Sequence, residues 1–184
     1  MKVLAGAAVL LLVCGLLTFA LGAKGDVQIS KFSTDLKART ASQRHNAAIS
    51  ARYLDGCVLA PGETFSFNAR VGSFSRDRGF RKAPVSYNGQ LIDSWGGGVC
   101  QTSTTLYNAA LLAGLEVVER HRHRFAPSYV GPGRDAAVAF DSIDLKFRNI
   151  HPFPISIRTM VDRDNVIVEI RGDHALALQP EVVD

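Results

Sequence analysis

Residues 96–114 read GGGVCQTSTTLYNAALLAG, and this stretch decides how the rest of the chain is parsed. Three consecutive glycines let the backbone turn sharply and approach a neighbour closely. From Val99 the pattern becomes helical: Leu106, Ala109, Ala110 and Ala113 recur at spacings that form one apolar stripe, and Gly114 supplies a stop. The spacing therefore predicts a buried helix over Val99–Ala113. Cys100 falls in its first turn, where unpaired N–H groups and the positive end of the helix dipole favour a thiolate and can also receive an oxyanion.

Upstream, SQRHNAAISARYLDG (42–56) places Ala47, Ala48, Ala51 and Leu54 at helical spacing, with Thr40 or Ser42 as caps and Gly56 as terminator. The runs 57–72 and 79–93 alternate around Pro61-Gly62 and Asn88-Gly89, which predicts β-structure with a hairpin at the second turn. Downstream, LEVVERHRHRF (115–125) reads as a strand and SYVGPGRD (128–135) as a loop. Runs 137–149, 154–162 and 166–172 read as three further strands, with a turn at Asp164-Asn165. Strands with segregated helices make an α+β domain, with a mainly antiparallel sheet and two principal helices.

The boundaries follow from composition. Val3–Ala23 is twenty-one residues without a charge, preceded by Lys2 and followed by Lys24, so it reads as a signal peptide or an N-terminal membrane anchor. Either reading places residues 24–184 outside the cytoplasmic membrane. Cys14 follows Val13, where a lipoprotein signal would carry a small residue, and is read as apolar filler. Residues 24–39 form a lead-in strand or linker, 40–172 the folded domain and 173–184 a C-terminal tail. The chain has 184 residues, 47% hydrophobic and 21% charged, enough for one domain with its own core. Its net charge of +4 comes from 21 cations mixed with 17 anions rather than from a basic block, which argues against nucleic acid as a partner.

The chemistry gathers around Cys100. His121 and His123 flank Arg122 on the predicted strand and Asp135 follows the loop, so Cys, His and Asp occur in the order of a thiol triad. Strand alternation puts both histidines on one face and does not choose between them. Polar coverage of a sheet face by the histidines and turn capping by Asp135 are the structural alternative. A metal site of Cys100, His121 and His123 lacks a fourth ligand, so neither metal nor cofactor is expected. Gly97, Gly98, Gln101, Ser103, Thr104, Tyr129 and Arg134 are the candidate substrate-binding residues, and N-terminal capping is the alternative role of Gln101, Ser103 and Thr104. Cys57, in CVLAPGE, has no adjacent base and reads as core, although a Cys57–Cys100 disulfide is open to an exported chain. Trp95, Tyr87, Tyr107 and Tyr129 read as core or as the lining of a sugar or peptide groove.

The segments LAPGETFSFNARVG (59–72), GGGVCQTSTTLYNAALLAGLEVVERH (96–121), HRFAPSYVGPGRDAAV (123–138) and DLKFRN (144–149) resemble the VanW family, over about residues 30–172. The resemblance implies an exported or membrane-anchored bacterial envelope protein in a context of glycopeptide resistance, without implying a defined activity. His123 matches the family motif better than His121, which selects it as the base; Cys57 departs from the motif. By architectural analogy, the order of elements is also similar to that of transglutaminase-like and papain-like enzymes. The resulting expectation is a thiol-dependent amidase, peptidase or acyl transferase acting on peptidoglycan stem peptides, with a non-catalytic peptidoglycan- or glycopeptide-binding module as the alternative.

Overall fold

The computed structural model of the protein describes residues 26–87 and 90–173. The apolar run Val3–Ala23, the turn residues Asn88-Gly89 and the tail from His174 lie outside them. The elements in chain order are β1 (Asp26–Asp35), α1 (Ala41–Leu54), β2 (Val58–Leu59), β3 (Thr64–Ser66), α2 (Phe67–Val71), β4 (Lys82–Tyr87) and β5 (Gln90–Trp95). Then follow α3 (Val99–Leu112), β6 (Glu116–Glu119), β7 (Lys146–Arg148), β8 (Ile155–Val161) and β9 (Asn165–Asp173). All strand pairs are antiparallel. They form a four-stranded sheet in the order β1-β9-β8-β2, a three-stranded sheet β3-β7-β6 and the hairpin β4-β5. The fold is α+β, built on mainly antiparallel sheets.

Both principal helices lie where the apolar spacing places them. Thr40 caps α1 in a reciprocal box: its hydroxyl accepts from the Gln43 N–H, and the Gln43 side chain accepts from the Thr40 N–H. Ala47, Ala51 and Leu54 are buried, whereas Ala48 is half-buried. The stripe Leu106, Ala109, Ala110 and Ala113 of α3 is buried against β1, β9 and α1. On β9 the alternation puts Val166, Val168 and Ile170 inward. The segment read as a lead-in strand or linker is β1, a ten-residue strand bonded along β9.

Three expectations are corrected. Residues 67–71 form a short helix rather than strand or loop, because Ser66 caps it and the carboxylate of Asp144 accepts from both the Ser66 hydroxyl and the Asn68 N–H. The strand read over 115–125 ends at Glu119 after a register shift against β7, leaving His121 in an isolated bridge to Ala137. The run 137–149 is extended loop up to β7, broken at Asp141, a left-handed residue at φ 62°.

Candidate functional site

The glycine run fixes where α3 begins. Gly98 is its N-cap at φ 105°, and a Cβ there would collide with the Gln43 backbone of α1. A Cβ on Gly97 would stand 2.7 Å from the carbonyl oxygens of Ala83 and Pro84 in β4. These glycines are therefore faced by protein on the side where a Cβ would stand, and their small size lets α1, β4 and α3 meet. With glycine as N-cap, α3 has no side-chain cap; the Val99 and Gln101 N–H groups donate instead to the Gly96 and Gly98 carbonyls at 3.0 and 3.1 Å, which leaves the Cys100 N–H of that turn.

The polar turn after Cys100 is buried and bonded internally. Gln101 donates to the Thr34 hydroxyl and the Asp35 carbonyl and accepts from the Arg39 Nε at 2.9 Å. Thr102 meets Ser50 and the Ala47 carbonyl. Ser103 donates to the Ala136 carbonyl at 2.7 Å, and the Thr104 hydroxyl accepts from the Ala136 N–H at 3.0 Å. Gln101, Ser103 and Thr104 thus anchor the helix through these internal bonds.

One face of α3 carries a ladder. Asn108 donates to the Arg134 carbonyl, Thr104 meets Ala136, and Cys100 meets Val138: its thiol donates to the carbonyl at 3.4 Å, and the Val138 N–H points back at Sγ from 3.5 Å. Four residues of helix rise about 6 Å and two residues of extended chain span about 6.6 Å, so the pairing 100/138, 104/136, 108/134 repeats in step. The ladder lays segment 134–138 along the helix and fixes the position of Asp135, which in turn holds His123.

Asp135 is 4% exposed. Its Oδ2 accepts from the His123 N–H at 2.6 Å and faces His123 Nδ1 at 2.7 Å, while Arg120 Nη2 lies 3.2 Å from Oδ1. Arg120 also donates to the Asp135 and Gly133 carbonyls and stacks over Tyr107. Burial would raise the Asp135 carboxyl, but the hydrogen bonds from His123 outweigh it and hold it below the usual range. Burial likewise opposes the charged form of His123, yet a side-chain hydrogen bond and the charge of Cys100, reinforced by Asp135, raise its pKa. With Nδ1 turned to Asp135, the other ring nitrogen is the one left for Cys100.

His121 is elsewhere: its Nε2 lies 2.9 Å from Glu119, whose other oxygen holds Lys146 at 2.8 Å. Those two hydrogen bonds, Lys146 first, bring Glu119 down to about 2. The strand ends before residue 121, so the alternation that would have aligned the two imidazoles does not operate. Among the described residues no group of three or more His, Cys, Asp and Glu is placed to hold a metal ion.

Tyr129 borders the thiol. Its phenol is pushed up by burial and by the neighbouring Cys100, against a hydrogen bond with Thr104. The Arg39 guanidinium covers its ring at 4.7 Å. The Arg134 side chain is exposed, its backbone carbonyl being the part that binds α3. Arg39 and Arg120 were missed by sequence reasoning, since each lies far along the chain from the residue it braces. Cys57 and Cys100 are both free thiols, so the disulfide alternative is not realised. Trp95 lines a different groove, away from this cluster.

The model of the family described as VanW like protein matches residues 42–171. The chain is 42% identical over 131 residues to a protein of Bacillus subtilis (strain 168) named Uncharacterized protein YoaR, covering 71% of this chain and 43% of that one. It is 31% identical over 134 residues to Vancomycin B-type resistance protein VanW of Enterococcus faecalis (strain ATCC 700802 / V583), covering 70% of this chain and 48% of that one. The chain thus spans less than half the length of these relatives. No solved structure matches. The glycine-led helix, the ladder on 134–138 and the DLKFRN strand all fall inside the matched span, and the chain belongs to the VanW family.

Proposed function

We propose that the chain is an exported cell-envelope enzyme, a thiol-dependent amidase, peptidase or acyl transferase acting on peptidoglycan stem peptides. One observation supports this reading: His123, held at Nδ1 by the buried Asp135, has its pKa raised by Cys100 at the start of α3 against the effect of burial. In the reaction, the Cys100 sulfur attacks an amide carbonyl and forms the carbon–sulfur bond as its proton rests on His123. The oxyanion is received by the Cys100 N–H, since the Val99 and Gln101 N–H groups on either side donate to the Gly96 and Gly98 carbonyls. His123 then gives its proton to the departing amine, leaving a thioester. Water or a second amine, deprotonated by the same imidazole, displaces the sulfur and restores the thiol. Asp135 keeps the imidazole oriented and supports its charged form, and Arg120 keeps Asp135 in place.

The substrate class rests on the family context: one relative is named for vancomycin B-type resistance, and glycopeptides act on cell-wall peptides. Export rests on the apolar run Val3–Ala23; no helix among the described residues is long and apolar enough to cross a membrane. The test is incubation of the full chain with purified muropeptides, followed by mass spectrometry. Release or transfer of a peptide fragment that disappears in Cys100→Ala is the expected result. An unchanged muropeptide profile for the wild type, or equal conversion by Cys100→Ala, overturns the proposal.

A further inference from the structure

On the α1 side of the glycine run lies an open groove of about 430 Å³, lined by His45, Arg76, Phe80, Arg81, Lys82 and Trp95, with Gly79 at its edge. Segment 70–82 carries five cations and one acid, Asp77, which is not part of the lining. Arg76, Arg81 and Lys82 form no ion pair with a carboxylate among the described residues. Three unneutralised cations converging on one groove raise its local positive potential.

The groove is also held in shape. The buried amide of Asn46 clips Arg81 at both backbone atoms, Nδ2 donating to its carbonyl at 2.8 Å and Oδ1 accepting from its N–H at 2.8 Å; the same Nδ2 donates to the Gly97 carbonyl. His45 Nε2 is 2.8 Å from the Gly79 carbonyl, to which it donates. The Trp95 side of the wall is 39% exposed, and Lys82 Nζ stands 5.8 Å from its ring centroid. An accessible indole beside cations suits a ligand with both an apolar flat face and a negative charge, and the volume suits one or two sugar rings.

We propose that this groove binds an anionic saccharide, a sugar bearing a phosphate or a carboxylate, at a site separate from Cys100. The indole stacks on the ring face, and Arg76, Arg81 and Lys82 meet the anion. Trp95 is the sole tryptophan of the chain, so its emission reports on this groove alone.

The experiment titrates the full chain with glucose 6-phosphate, glucuronate, glucose and inorganic phosphate while following Trp95 emission. A saturable change with glucose 6-phosphate or glucuronate is expected, the tighter of the two naming the source of the charge, with glucose and inorganic phosphate silent at the same concentrations. Arg76→Gln combined with Arg81→Gln should weaken binding at least about tenfold with unchanged circular dichroism, these being surface side chains. Cys100→Ala should bind as the wild type does, so failure of the thiol chemistry and failure of this site are separable. Absence of a saturable change with either anionic sugar up to about 10 mM, an equal response to glucose or to inorganic phosphate, or undiminished binding by the folded double variant overturns the proposal.

Discussion

Cys57 and Cys100 are both half-buried free thiols packed at the edge of the same core, yet their surroundings differ in kind. Cys57 leads into β2, its backbone bonded to Leu54 and Ile157. Burial pushes its thiol up; Arg70 pulls it down and Glu63 adds to the rise. Cys100 sits at a helix start without a side-chain cap, on one rung of a ladder that fixes Asp135, the carboxylate that holds His123. The comparison teaches that two thiols of similar burial can differ in which groups the neighbouring segments carry to the sulfur, and on the proposed function that difference separates a reactive thiol from an inert one.

The strongest attempt to break this contrast is on the histidines. His123→Ala should lower turnover of the Cys100 reaction by about 10²- to 10⁴-fold, whereas His121→Ala, which loses only a surface contact with Glu119, should leave it unchanged. Steady-state kinetics on the fragment-releasing muropeptide checks both, and equal losses would erase the distinction drawn between the two imidazoles.

Glycines beside each cysteine sharpen the contrast further. Gly56, next to Cys57, has φ 72° and only an ordinary 3.7 Å contact with Arg158 at its Cβ position, so Gly56→Ala should cost about 1–2 kcal/mol for the left-handed backbone. Gly98 adds a backbone collision with Gln43 to a φ of 105°, and Gly98→Ala should cost about 3 kcal/mol or more. Urea unfolding of the two variants decides whether the thiol-bearing helix start is the more tightly specified of the two turns.

A smaller effect concerns protonation. His123 titrates above the ordinary histidine value despite its burial, through Cys100 first and Asp135 next. A folded-state pKa above the unfolded one means that the stability His123 contributes is fully present below the unfolded value and is lost as pH rises through the folded value. Cys100→Ala should lower the His123 midpoint in an NMR titration and flatten that loss of stability; a midpoint unmoved by the substitution would mean that the two side chains do not interact.

Much of this was legible in residue order. Both principal helices follow from apolar spacing and from Thr40, Gly56 and Gly114. The Cys100, His123 and Asp135 set follows from chain order and from the motif that prefers His123 over His121. What the sequence hides is mediated at a distance. The helix at 67–71 depends on Asp144, more than seventy residues away. The strand ending at Glu119 depends on its register against β7. The polar run Gln101–Thr105 reads in sequence as ligand contacts or capping groups because its partners lie far along the chain; each side chain is buried because β1, α1 and segment 134–138 supply those partners.

The central claim is that His123 acts on the sulfur of Cys100. Iodoacetamide alkylation of the wild type and of His123→Ala, with each cysteine quantified by peptide mass spectrometry, tests it without knowledge of the substrate. The account predicts that Cys100 is modified faster than Cys57 in the wild type, and that His123→Ala slows Cys100 while leaving Cys57 unchanged. Equal rates at the two cysteines, or a Cys100 rate indifferent to the loss of His123, would contradict it.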